Sequence, residues 1–392
     1  MQSKEFHDHL KNDLIPFWNG MTDSENGGFY GYADKNGTPD KQSPKGVILH
    51  GRILWFYSNA YRLLKEPALL EKAKHAYRFL SEKCVDGKNG GVFWSVNADG
   101  TPCDDTKHTY NQAFAIYALS TYYRASGDEN ALKSAYALYH VIEEKCRDKD
   151  GYLEAFGRDF RPVSNEKLSE NGVMAERTMN TLLHVIESYT ELYKADNSAE
   201  VGNSLKQALR LFRTKIYNPE KKRCEVFFDR EYNTLIDLQS YGHDIEASWL
   251  IDRSCDVLGD EELRREMLPV INGLAQGAYS NGIDKENHAM NNECENGKDS
   301  KIKIWWVQAE TVVGFYNAYK NDPDNTEYPR ISEQVWEYIK KHVIDPKTGE
   351  WIENIRPDNT FDPEQALVHE WKCPYHNGRM CIEMIKRLSR EA

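Results

Sequence analysis

No stretch of this sequence approaches the ~18 consecutive apolar residues that a membrane span requires. None of the eight cysteines (Cys84, Cys103, Cys146, Cys224, Cys255, Cys294, Cys373, Cys381) belongs to a CxxC pair. That spacing removes the commonest zinc frameworks and fits reduced thiols better than a disulfide scaffold. GxGxxG and GxxxxGK[ST] patterns are missing, which speaks against a dinucleotide fold and a P-loop; HExxH and EF-hand patterns are missing too. No metal and no other cofactor is therefore expected, a zinc site assembled from histidines of several helices being the remaining metal alternative. Positive charge is in deficit: 50 Lys+Arg stand against 62 Asp+Glu, for a formal net charge of -12 and a pI near 5.6. A nucleic-acid partner is thereby disfavoured. The N-terminal MQSKEFHDHLKNDLIPFW is charged and amphipathic, with no apolar run ahead of a small-residue cleavage site, so a cytoplasmic protein is expected.

What is present is a core and many aromatics. Hydrophobic residues make up 40% of the 392 and aromatic ones 12%, including 9 Trp and 23 Tyr. That is enough for a sizeable core, and aromatic faces also stack on the apolar faces of sugar rings.

One pattern recurs about six times: an amphipathic helix, a Gly-rich aromatic hairpin, and a second helix with fewer charges. The hairpins are GGFYGYADKNGTP (27–39), GGVFWSVNADGTP (90–102), DGYLEAFGRDFRP (150–162), RCEVFFDREYNTL (223–235) and GEWIENIRPDNTF (349–361), with a degenerate copy near Ser280. Their turn residues and strand-like alternation define them. Outer helices are expected over 3–18, 67–84, 128–146, 198–216, 260–278 and 327–344, where charges keep to one face. Inner helices are expected over 45–64, 107–126, 173–194, 240–258, 302–320 and 374–389, apolar on more than one face. No linker interrupts them, so the expectation is an all-α, closed (α/α)6 barrel forming one catalytic domain over residues 1–392.

The inner helices carry polar residues near their N-terminal ends that a core does not need. They are His50 and Arg52; His108, Tyr110 and Asn111; Asn180 and His184; His243 and Glu246; Trp305, Trp306, Gln308 and Glu310; and Trp371, His376 and Arg379. Alternate helices of such a barrel point the same way, so these ends meet at one mouth, a concave site with converging polar groups. The five histidines His50, His108, His184, His243 and His376 are expected to line it together. A pair of imidazoles, His243 and His376, can divide base and acid roles near neutral pH. Glu246, one helical turn from His243, is expected to raise its basicity. Arg52 is a permanent cation suited to a sugar oxygen or to the oxyanion left when a carbon acid is deprotonated. Trp306 and Trp371 are placed to stack on sugar rings.

KGVILHGRILWFYSNAY, KHTYNQAFAIYALS, LSENGVMAERTMNTLLHVIESYTELY, SYGHDIEASWLIDRSCDVLGD, WWVQAE and WKCPYHNGRM, taken in order, resemble the N-acylglucosamine 2-epimerase superfamily over essentially the whole chain. Within it they are most similar to the branch acting on cellobiose. The resemblance implies an (α/α)6 barrel with His243 and His376 as catalytic residues. It implies substrate-positioning roles for Arg52, Tyr110, Asn180, His184, Glu246, Trp306 and Trp371. The implied reaction is cofactor-independent inversion of carbon-2 in the reducing-end sugar of a β-1,4-linked disaccharide, glucose-type to mannose-type, through an enediolate. The expected partner is a small carbohydrate, with neither nucleic acid nor membrane, and a monomer is favoured.

Three other readings use the same residues. An (α/α)6 glycoside hydrolase needs two facing carboxylates, for which Glu170, Glu176, Glu246 and Glu310 are candidates. A non-catalytic sugar-binding protein leaves the two-His, one-Arg set without a purpose. An aldose–ketose isomerase shares the enediolate and differs in where the proton returns.

Overall fold

The glycine pairs show how each repeat is built. In the computed structural model, which describes residues 1–390, Gly28 (φ +68°) and Gly91 (φ +74°) sit in left-handed turns between an outer helix and its inner partner. A Cβ on Gly28 would fall 2.7 Å from His50 Nε2, and one on Gly91 would fall 2.9 Å from Gln112 Oε1. Only glycine permits both the turn and that approach. The approaching side chains clamp the hairpin. Phe29 N–H donates to His50 Nε2 (3.0 Å), Val92 N–H to Gln112 (2.6 Å), Cys224 N–H to Asp244 (2.7 Å) and Met290 N–H to Gln308 (2.9 Å).

Six outer helices alternate with six inner ones. The outer set is α1 (3–20), α3 (67–84), α5 (129–146), α7 (199–216), α9 (Glu261–Gly282) and α11 (327–343). The inner set is α2 (Val47–Leu64), α4 (Thr109–Ser126), α6 (Met179–Asp196), α8 (Tyr241–Leu258), α10 (Trp305–Asn321) and α12 (His376–Arg390). Inner helices are buried almost end to end, whereas outer helices such as α3 and α7 bury one stripe. That difference follows from their unequal charge patterning. Four inner helices stop at a left-handed residue: Lys65, Gly127, Asn197 and Gly259.

The hairpins tie the ring together. The short strand before each of the first five inner helices pairs with the next repeat's hairpin segment: Lys45–Gly46 with Ser95–Val96, Lys107–His108 with Ala155–Phe156, Arg177–Thr178 with Phe227–Phe228, Leu238–Ser240 with Glu293–Glu295, and Lys303–Ile304 with Asn354–Ile355. Ala33 bridging Val368 closes the circle from the last repeat to the first. Beneath these strands lie buried ion pairs in equivalent places, Lys45–Asp23 (2.7 Å), Lys107–Asp86 (3.2 Å), Arg177–Asp148 (2.7 Å) and Lys303–Asp284 (2.9 Å). This is an (α/α)6 barrel, as expected. The last two residues of the expected 1–392 unit lie outside the described residues. The copy near Ser280 is less degenerate than it reads: Ile283 bridges Met290 as Val85 bridges Val92, and the extra residues form strands Glu293–Glu295 and Lys298–Ser300.

Two of the five histidines do not belong at the mouth. His50 occupies the fourth position of α2, where Gln112, Asp244 and Gln308 stand in α4, α8 and α10. Its Nδ1 bonds Gly46 O (2.9 Å), so both ring nitrogens serve the backbone. His108 is the residue before α4, buried against Trp94 at 4.8 Å. His50→Gln, which copies the sister repeats, should retain stability within about 1 kcal/mol, whereas His50→Leu should cost about 1–3 kcal/mol by stranding the Phe29 amide. Chemical denaturation of the two variants checks this.

Candidate active site

A cavity of about 370 Å³ opens where the inner-helix N-termini converge, and Arg52, Tyr110, Asn180, His184, His243, Glu246, Trp306, Trp371 and His376 all line it. Helix register explains the selection. The second and sixth residues of an inner helix share a face one turn apart. Second positions supply Tyr110, Asn180 and Trp306, and sixth positions supply Arg52, His184 and Glu246, while the sixth residue of α10, Glu310, bonds His376 (2.7 Å) instead of lining the cavity. On α8 the second position is Gly242, and a Cβ there would lie 2.8 Å from the Trp306 ring. The missing side chain lets Trp306 lie against α8 beside His243.

His243 and His376 both face Trp306, at ring separations of 4.7 and 5.4 Å. Their Nδ1 atoms have different partners. His376 Nδ1 bonds the buried Glu310 carboxylate (2.7 Å), and His243 Nδ1 bonds Ser240 Oγ (2.8 Å). Each bond fixes its ring and leaves Nε2 for other work. Ser240 is the N-cap residue of α8, yet its side chain caps no backbone N–H. Glu246 is not the partner of His243 that i,i+3 spacing suggests. It points along the barrel axis to Arg379 instead. Burial, reinforced by the neighbouring His184, holds the His243 imidazole down at about 3, and burial together with Arg379 and Arg52 holds His376 well below its ordinary value. Both rings are neutral at rest, so the expected basic His243 is corrected.

Under the two imidazoles lies one cation among three carboxylates. Arg379, wholly buried, pairs with Glu187 (2.6 Å), Glu310 (2.7 Å) and Glu246. Three acids cannot all ionise around one guanidinium. Burial and the facing Glu310 hold the Glu246 carboxyl well above its ordinary value, which favours its protonated form. His184 Nδ1 and Tyr375 Oη both bond Glu187 (2.9 and 2.5 Å). Ligand atoms of Glu246, Glu310 and His376 lie within 4.8 Å of one another, the spacing of a metal site, but Arg379 already supplies the positive charge on both carboxylates.

Arg52 is held from three sides. It donates to Tyr110 Oη (2.8 Å) and Trp371 O (3.2 Å), and it lies over the Phe114 ring at 4.3 Å. Among the described residues its Nε and the Asn180 Oδ1 have no partner, leaving a buried donor and a buried acceptor among the groups that line the cavity. The Trp371 indole forms the outer wall, fixed against Trp94 (5.6 Å) and Tyr110 (5.9 Å). The rim is acidic, with Glu170, Glu293 and a Glu353–His369 pair at 3.1 Å.

From the sequence, Arg379 is one of the polar residues with no role, Glu310 and Glu170 are only hydrolase candidates, and Ser240, Glu187, Tyr375 and the rim groups Glu293, Glu353 and His369 are missed. Ser240 carries a readable signal, a serine immediately before a helix whose third residue is histidine. The rim groups on long loops carry none.

Glu246 also sets a pH dependence. Its folded pKa lies well above the ordinary 4.5, so between those values the folded chain keeps a proton that the unfolded chain has lost. Its contribution to stability therefore falls as pH rises through that window. Glu246→Gln has no such charge, so its melting temperature should gain on the wild type steadily between pH 5 and 8 in parallel thermal melts.

Residues 28–377 match the family model for N-acylglucosamine 2-epimerase (GlcNAc 2-epimerase). The chain is 50% identical to a cellobiose 2-epimerase of Ruminococcus albus over 99% of both sequences. Among solved structures, a sugar epimerase from a ruminal bacterium superposes with a TM-score of 0.96 at 48% identity, covering 99% of each chain. A cellobiose 2-epimerase from Bacillus thermoamylovorans superposes at 0.93 with 40% identity, covering 98% of this chain and 99% of that one.

Proposed function

The chain belongs to the N-acylglucosamine 2-epimerase family, and from that premise we propose how its cavity carries out sugar 2-epimerisation on a β-1,4-linked disaccharide such as cellobiose. The observation that carries the reading is the pair of neutral imidazoles, His243 and His376, each anchored at Nδ1 and both set against Trp306 at one cavity.

In the first step His376 Nε2 takes the proton from the anomeric hydroxyl while Glu246 gives its proton to the ring oxygen. The ring bond breaks and a free aldehyde forms. His376 and Glu246 suit this division because they lie side by side and the protonated form of Glu246 is the favoured one. His243 then removes the carbon-2 proton, and the electron pair moves onto the aldehyde oxygen to give an enediolate. Arg52 and its free Nε–H stabilise the developing charge. His376, now an imidazolium, returns its proton to the opposite face of carbon-2. Ring closure moves the proton on His243 to the anomeric oxygen and restores the proton on Glu246, so every group ends as it began. In the reverse direction the two histidines exchange roles at carbon-2.

Trp306 lies under the reacting sugar, and Trp371, farther out, under the second ring. The aldose–ketose alternative differs only in protonating carbon-1, so product identity decides. Incubation with cellobiose should yield glucosyl-mannose. A ketose-ended disaccharide would assign an isomerase, free glucose a hydrolase, and unchanged cellobiose a binding protein. Any of those three as the principal outcome overturns the reading.

A further inference from the structure

The barrel has a second mouth. At the C-terminal ends of the inner helices a depression of about 540 Å³ is lined by side chains from all six. The sixteenth residue of α2, α4, α6 and α10 is in each case a cation: Arg62, Arg124, Lys194 and Lys320. Four repeats therefore project positive charge from the same register into one concavity, where α8 instead places Asp256, in a chain whose net charge is -12. Arg253, one turn deeper in the barrel, and Lys386 and Arg387 of α12 bring the lining cations to seven, against the lining acids Asp256 and Glu383, the latter paired with Lys386 and Arg387.

Neutralisation there is incomplete. Arg124 (2.9 Å), Lys194 (3.0 Å) and Arg253 all pair with the single buried carboxylate of Glu191. Lys320 pairs with Asp256 (2.6 Å) and with the buried Asp252 (3.6 Å). Among the described residues Arg62 has no carboxylate partner, and it donates to Asn59 Oδ1 at 3.5 Å. Burial, with Arg124 and Arg253 close by, pulls the Arg62 pKa down, as expected of a guanidinium crowded by like charge. The same causes bring Lys194 down to about 8. Cations in last helical turns ordinarily offset the helix dipole and spread into solvent. Here they converge on a shared space, and three of them compete for one acid.

We propose that this second mouth is an anion site for a phosphate group, held by Arg62 with Arg124, Lys194 and Lys320 around it. Guanidinium forks bind phosphate oxygens in pairs, and lysines add point charge. The site lies at the far end of the barrel from His243 and His376, so its ligand binds without entering the catalytic cavity. The proposal does not depend on the epimerase reading.

The test is isothermal titration calorimetry of the full chain at low ionic strength, with pyrophosphate in one arm and a hexose phosphate in the other. Saturable binding of either one, weakened by added salt, is expected. Tighter binding of pyrophosphate would identify a free inorganic anion as the source, and tighter binding of the hexose phosphate a phosphorylated sugar. Arg62→Gln removes no ion pair and should weaken binding about tenfold, the scale of one charge-assisted hydrogen bond. Turnover of cellobiose by that variant should be unchanged. Lys320→Gln should also weaken binding, which guards against an effect peculiar to Arg62. Absence of binding in both arms, or binding that neither substitution alters, would leave these cations as helix-end neutralisers and overturn the proposal.

Discussion

His376→Asn lowers kcat for the disaccharide by about 10³-fold, and His243→Asn does the same, with the melting temperature nearly unchanged in both. Positioned general acid–base groups contribute ~10²–10⁴-fold each, and in the proposed cycle each imidazole serves two proton transfers. Stability is retained because neither substitution strands a buried charge. Without His376, Glu310 still has Arg379 (2.7 Å) and the Trp249 indole N–H (2.9 Å). Without His243, Ser240 loses one hydroxyl contact. Because the histidines act in sequence on one proton inventory, the double variant should be little slower than either single one. Steady-state kinetics with product quantification checks all three, and wild-type kcat in either single variant would remove that residue from the chemistry.

The second large effect concerns folding. Arg379→Met destabilises the protein by about 3–5 kcal/mol, the cost of leaving buried charge without its partner. Arg379 is the hub of Glu187, Glu246 and Glu310, so its removal leaves the remaining negative charge on that cluster opposed by no ion pair on the axis. The defect should shrink on mild acidification, because protonated carboxyls no longer repel one another. Denaturant unfolding at pH 5 and pH 8 measures both parts. An equal loss at the two pH values would show that Arg379 matters through packing on Tyr375 and Trp249 rather than through charge.

How far the sequence could be read follows from its periodicities. Eleven of the twelve helix starts lie within about three residues of expectation, since outer and inner helices differ in charge patterning and glycine turns separate them. The exception, α6, begins at Met179 rather than 173, because 173–178 (VMAERT) is rich in helix formers yet Arg177–Thr178 is drawn into a strand with Phe227–Phe228. Nine residues named for the site line one cavity. The error lay in treating every histidine near an inner N-terminus as equivalent. His50 and Arg52 are two residues apart, which is about 200° of helix rotation, so they face opposite ways. Counting from the first residue of each inner helix groups His50 with Gln112, Asp244 and Gln308 at the fourth position. Assigning Glu246 to His243 failed for a related reason: i,i+3 spacing allows contact, but the tertiary charge of Arg379 claims the carboxylate. That cation comes from α12, 133 residues away, and no local pattern announces it.

The central claim is that carbon-2 loses its proton to one histidine and regains one from the other, across opposite faces of an open-chain enediolate. The most direct measurement is to run the epimerisation of cellobiose in deuterated water to low conversion and examine carbon-2 of the glucosyl-mannose by NMR. The returning proton comes from an imidazolium charged by an exchangeable hydroxyl, so the account predicts one solvent deuterium at carbon-2 in essentially every product molecule, and none at carbon-3. Product that keeps its original carbon-2 hydrogen would contradict it, since that proton would never have been exchanged between two separate bases.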